Sequence, residues 1–226
     1  MLDPLQSSSS QRCSSTSSVS LISNRGNGRT IGNVLPVASC VAACWQSSDR
    51  GALGARWPAS AVAFGMTIWA MAARYEASRA ADLGVDRLFP RTGLPAMLAG
   101  ADAVVLCCPH TPETEGMIGA EELAALKRGV VFVNIARGAV VDEAALVAAL
   151  REGRIGFAAL DVFREEPLPP ESPLWDLPNV LINPHSASTS VAENSRITDI
   201  FIQNLRHYLA GRFDQMAPRL DMQRLY

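Results

Sequence analysis

Four side chains able to hold a small acid and move a proton on it stand in the second half of the chain: Arg137, Asp161, Glu166 and His185. A guanidinium forks onto a carboxylate with paired, charge-assisted hydrogen bonds. An imidazole titrates near neutrality, so it can give or take a proton. The chain carries only two other histidines, His110 and His207, which leaves few candidates for proton transfer. Taken one at a time, each of these residues also reads as ordinary surface or capping chemistry; their shared setting is what matters.

That setting is a series of strand ends. The segments GVVFVNIARGAVVDE, GFAALDVFREEPLPPESPLWDLP and NVLINPHSAS each open on a short apolar run and end in polar residues. Such runs suit strands buried on both faces of a parallel sheet. The carboxyl ends of strands in an open α/β sheet form the crevice where ligands bind. Upstream, TIWAM and DAVVLCC read as further strands and Pro95 to Gly100 as a short helix. Asp142 caps a helix EAALVAALRE that stops at Gly153. Ser190 and Glu193 form a capping-box pattern opening a longer helix, where Ile197, Phe201, Leu205 and Tyr208 recur at helical spacing. His207, on the other side of that helix, reads as solvated. Strands alternating with helices predict an α/β fold, a doubly wound, Rossmann-like and mainly parallel sheet, incomplete at its N-terminal side.

From Ala63 to Arg212 the sequence resembles the nucleotide-binding domain of the D-isomer-specific 2-hydroxyacid dehydrogenases. The stretches that carry the likeness are LAGADAVVLCCPHTPETEGMIG, VNIARGAVVDEAALVAAL, ALDVFREEPLPPESPLWDLPNV and NPHSAS, in that order. The resemblance implies a substrate-binding arginine at Arg137, a histidine-supporting glutamate at Glu166 and an acid/base histidine at His185. It places Asp161 beside the nicotinamide, with Cys108, Pro109, Ala136 and Ser188 also on the cofactor. The implied reaction is hydride transfer between NAD or NADP and a small 2-keto or 2-hydroxy acid. A homodimer is the family expectation.

Composition bounds the alternatives. The 226 residues are 48% hydrophobic with a net charge of −2. No basic run argues for nucleic acid or an anionic membrane, and no apolar stretch is long enough to span one. The five cysteines show no zinc-ligand spacing, so no metal is expected. Cys107 and Cys108 read as core thiols. A reduced, cytoplasmic setting follows.

The first third fits less well. Residues 1–45 are serine-rich and read as disordered, and nothing there resembles the substrate-binding domain of the family. The expected nucleotide-binding domain covers 46–212, with a short tail at 213–226. Its glycine-rich turn is degenerate over 49–54: Gly51 and Gly54 match two glycines of G-x-G-x-x-G, but Asp49 occupies the first. A carboxylate there would oppose the pyrophosphate. Written in GC-rich codons and read from the third nucleotide, Gln46 to Arg56 becomes V-V-G-S-G-R-I-G-R-A, an intact fingerprint, which predicts a reading-frame shift. Near Ala72 the family's ribose-binding acid is missing and Arg74 follows, a pattern compatible with a 2′-phosphate. Two readings result: a working NAD(P)-dependent oxidoreductase, or a catalytically impaired remnant that keeps the fold.

Overall fold

The structure is a computed structural model that describes residues 40–44, 65–71, 75–187 and 189–218. All of them belong to one compact unit, Ser39–Tyr226. Seven strands form one sheet: β1 (Cys40–Cys44), β2 (Thr67–Met71), β3 (Arg87–Phe89), β4 (Ala103–Leu106), β5 (Val130–Asn134), β6 (Ile155–Leu160) and β7 (Val180–Ile182). Their order is β3-β2-β1-β4-β5-β6-β7, and every neighbouring pair is parallel. The order reverses direction between β1 and β4, the switch point at which such sheets bind ligands. The expected Rossmann-like α/β architecture is therefore present. Residues 45–64, which carry the chain from β1 towards β2, lie outside the described residues, so the N-terminal side of the winding is described only in part.

The sheet reaches further upstream than the boundary at residue 46. Cys40–Cys44 pairs in register with both β2 and β4, Val41 lying opposite Ile68 and Ala103. Five small apolar residues are enough to fill this interior position, because a strand flanked on both sides gains two ladders of backbone hydrogen bonds.

Parallel strands need crossovers, and from β2 to β6 short helices supply them: α1 (Arg79–Leu83), α2 (Leu94–Gly100), α3 (Ala120–Ala125) and α4 (Glu143–Arg151). In α4 the Asp142 side chain accepts from the Ala145 N–H at 3.1 Å, and Leu146, Val147, Ala149 and Leu150 turn into the core. Gly153 then takes a left-handed φ of 66°, the conformation that ends a helix with least cost in glycine. The main core contains Phe132, Met97, Leu98, Leu106, Ile118, Ile155 and Leu160, each at most 2% exposed. Truncating Phe132 to alanine would cost about 3–5 kcal/mol.

The last helix, α5 (Glu193–Leu209), is the longest described and, like the one-turn α1, buries none of its residues. Ile197, Phe201, Leu205 and Tyr208 are 57%, 63%, 43% and 57% exposed. The capping box expected at its start does not form. Ser190 spends its hydroxyl on the Ala192 N–H, and Glu193 becomes the first helical residue rather than the third. His207 is half-buried rather than solvated, and its Nδ1 has no hydrogen-bond partner. Beyond the helix, Asn204 binds both backbone groups of Ala217 at 2.9 Å, and Phe213 meets the Tyr208 ring edge-on. The start of the tail is thereby folded back.

Candidate active site

Three loops at the carboxyl ends of β5, β6 and β7 carry the residues singled out above. After β5, buried Asn134 shapes the first loop: its Oδ1 accepts from the Ala136 N–H at 3.0 Å and its Nδ2 donates to the Arg137 carbonyl at 3.4 Å. Ala136 faces the core, and its carbonyl accepts from Arg137 Nη1 at 2.6 Å. Among the described residues the other guanidinium donors make no hydrogen bond within this turn, and Arg137 is exposed.

Gly138 follows, and it has no room for a side chain. A β-carbon on it would lie 1.9 Å from the carbonyl carbon and oxygen of Phe163 and 2.4 Å from the Arg164 nitrogen. The β5 and β6 loops thus meet backbone to backbone. That contact brings Arg137 towards Glu166.

Glu166 is held at both oxygens. Oε1 accepts from the Phe163 N–H at 3.0 Å, and Oε2 lies 2.7 Å from His185 Nδ1. Burial raises the carboxyl pKa, but the Phe163 N–H, the His185 ring and the charges of His185 and Arg137 outweigh it and hold Glu166 below its ordinary 4.5. The carboxylate is therefore ionised at neutral pH, so His185 Nδ1 must carry the proton of the shared bond. Nε2 is left as the nitrogen able to exchange a proton with a ligand. The His185 and Glu166 side chains are 42% and 35% exposed, open to a ligand in the crevice.

Asp161 ends β6 and is buried at 5% exposure. Burial raises its pKa, yet the Ala187 and Ser186 N–H groups, the Asn183 amide and the His185 charge together bring it down. Oδ1 takes the Asn183 amide and the Ser186 N–H at 2.8 Å, and Oδ2 takes the Ala187 N–H at 3.0 Å. Among the described residues Oδ2 accepts from the Ala187 N–H alone.

Of the other residues implicated by the resemblance, Cys108 faces the core and its thiol pKa is pushed up to about 11 by burial, so only its backbone can meet a cofactor. Pro109 follows on a loop fixed by Thr114, whose hydroxyl donates to the Pro109 carbonyl at 2.8 Å. His110 is exposed, with Nε2 3.8 Å from Glu115 Oε2. Gly51, Gly54, Arg74 and Ser188 lie outside the described residues. The sequence reading did not single out Asn134, Gly138 or Asn183. An asparagine as the last residue of an apolar run, or before a proline at a turn, is the signal that could have marked the two amides.

Residues 50–187 match the model of the D-isomer specific 2-hydroxyacid dehydrogenase, NAD binding domain. The chain belongs to the D-isomer specific 2-hydroxyacid dehydrogenase family. Within that family it is 40% identical over 161 residues to a glyoxylate reductase of Korarchaeum cryptofilum, covering 71% of this chain and 47% of that protein. It is also 40% identical over 172 residues to the D-3-phosphoglycerate dehydrogenase of Mycobacterium leprae, covering 76% and 31%. A D-isomer specific 2-hydroxyacid dehydrogenase of Xanthobacter autotrophicus Py2, solved with NADPH and MES, superposes with a TM-score of 0.71 at 38% identity, over 83% of this chain and 72% of that one. The chain thus spans less than half the length of the two curated relatives.

Proposed function

We propose that this chain is the cofactor-binding and proton-transferring part of an NAD(P)-dependent oxidoreductase that interconverts a small 2-keto acid and its 2-hydroxy acid. The observation that carries this reading is the 2.7 Å pairing of Glu166 with His185 on neighbouring loops, with the Arg137 charge felt at the same carboxylate. Asp161, Ala136, Pro109 and the backbone of Cys108 would hold the nicotinamide end, and Gly51, Gly54, Arg74 and Ser188 are proposed for the rest. The buried carboxylate of Asp161 at the strand-end crevice suits such a group.

When bound, the nicotinamide supplies the hydride for the carbonyl carbon, or accepts it in reverse. Arg137 grips the substrate carboxylate with a bidentate fork and so fixes which way the carbonyl faces. His185, charged and steadied by Glu166, donates from Nε2 to the carbonyl oxygen as negative charge gathers there. In the oxidative direction the neutral ring takes the hydroxyl proton back. The name of the NADPH-bound relative supports NADP beside NAD.

A homodimer is proposed on the bare apolar stripe of α5, since exposed patches of this kind favour association. Cytoplasmic residence is proposed on the reduced thiol of Cys108, buried in the core. Among the described residues no helix is long and apolar enough to cross a membrane.

The degenerate glycine turn, with Asp49 in place of the first glycine, favours a second reading, an impaired remnant that keeps the fold. Fluorescence titration of the purified chain with NADH and NADPH, then an assay with glyoxylate or hydroxypyruvate, separates the two. Turnover lost in His185→Ala supports the enzyme, and failure to bind either cofactor supports the remnant.

A further inference from the structure

His185 is the one non-glycine residue with a positive φ, 50°, among the described residues. An L side chain enters that region at a cost and stays only where its surroundings over-determine it. The surroundings here are specific. Asn183, two residues earlier, donates its amide to Asp161 Oδ1 and, at 2.9 Å, to Ser186 Oγ, the residue just after His185. Asp161 in turn accepts the N–H groups of Ser186 and Ala187, and the His185 N–H closes onto the Asn183 carbonyl at 3.1 Å. The turn that presents the imidazole is therefore bracketed from both sides by one amide and one buried carboxylate. Glu166 touches only the ring.

We propose that Asn183 is a positioning residue for the proton-carrying histidine. By bridging Asp161 Oδ1 and the Ser186 hydroxyl, alongside the direct Ser186 N–H bond to Asp161, it splints the left-handed turn, and the turn delivers His185 Nδ1 to Glu166. The inference rests on the reading of Glu166 and His185 as the proton-transfer pair. It assigns to Asn183 and Asp161 a task separate from contact with any ligand: without the amide, Asp161 can still bind two backbone N–H groups, but nothing joins it to the Ser186 hydroxyl. The turn is then free to relax towards negative φ, and the ring swings off Glu166.

The tautomer of His185 is the test, because it depends on the Glu166 contact and not on bulk folding. Long-range proton–nitrogen correlation spectra of the ¹⁵N-labelled full chain show all three histidine rings, and His185→Asn assigns the relevant one. The wild-type neutral ring is expected to carry its proton on Nδ1, given to Glu166. Asn183→Leu, similar in volume but without donors, is expected to shift it to the Nε2–H form that free imidazole prefers. The sheet amides should remain dispersed as in the wild type. Should that variant fail to fold, Asn183→Ser keeps a polar group in place, and the same loss of the Nδ1–H signature is expected. An unchanged Nδ1–H signature in a folded Asn183 variant overturns the positioning role. A wild-type ring already in the Nε2–H form overturns the pair itself, and that failure is visible before any variant is made.

Discussion

Gly138 and Phe163 touch through their backbones: a β-carbon on the glycine would stand 1.9 Å from the Phe163 carbonyl oxygen. One loop ends in the arginine proposed to hold substrate and the other leads to the glutamate that steadies the histidine, so this contact sets the spacing of the site. A main chain cannot swing aside as a side chain can. Gly138→Ala is expected to destabilise the fold by about 1–3 kcal/mol or more, read as a lower urea midpoint with little change in slope.

The carboxylate of Glu166 links stability to acidity. Its folded pKa lies below the ordinary 4.5, so its contribution is present above the unfolded value and is lost as pH falls through the folded one. The wild type should therefore lose more stability than Glu166→Gln in that acidic window, while the difference stays constant above it. Urea midpoints taken between about pH 7 and about pH 3 check this; parallel curves for the two proteins would contradict it.

Burial pushes the Cys107 thiol up to about 12 and the Cys108 thiol to about 11. A thiol that stays protonated is a poor nucleophile. Peptides carrying Cys107 and Cys108 should remain unmodified by iodoacetamide at neutral pH in the folded protein. In denaturant both should be labelled fully, with mass spectrometry as the readout.

The apolar side chains on α5 stand open to water, Phe201 at 63% exposure. If this stripe is the dimer face, as proposed above, the native chain should sediment as a dimer, and Phe201→Glu combined with Leu205→Lys should leave a monomer. The helix itself should persist in circular dichroism, since neither position packs into the core.

Much of this was legible from residue order, because Arg137, Asp161 and His185 each follow an apolar run and strand ends gather at one edge of a parallel sheet. Asp142 was legible for a local reason too: its capping bond involves only residues three apart. Gly138 was not. Its need for a missing β-carbon arises from Phe163, which no local pattern connects to it. Ser190 illustrates competition between local bonds, for the hydroxyl that could have capped α5 closes a shorter turn onto Ala192 instead. Cys40–Cys44 was passed over because five small residues beside a serine-rich stretch carry little periodic signal, yet as β1 they pair on both sides. Asn183 was missed because its two partners, Asp161 and Ser186, come together only once β6 and β7 are paired.

The frame-shift reading of Gln46 to Arg56 makes a separate forecast. Resequencing the locus should show a displaced frame that encodes the glycine fingerprint; peptides from 46–58 with the residues as written would refute it.

The central claim is that His185 carries the proton for a 2-keto acid held by Arg137. The direct measurement is single-turnover reduction of glyoxylate or hydroxypyruvate by the chain loaded with NADPH or NADH, compared with His185→Asn. Removing a positioned acid is expected to slow the step by about 10²–10⁴-fold while cofactor fluorescence still reports binding; an equal rate in the variant would contradict the account.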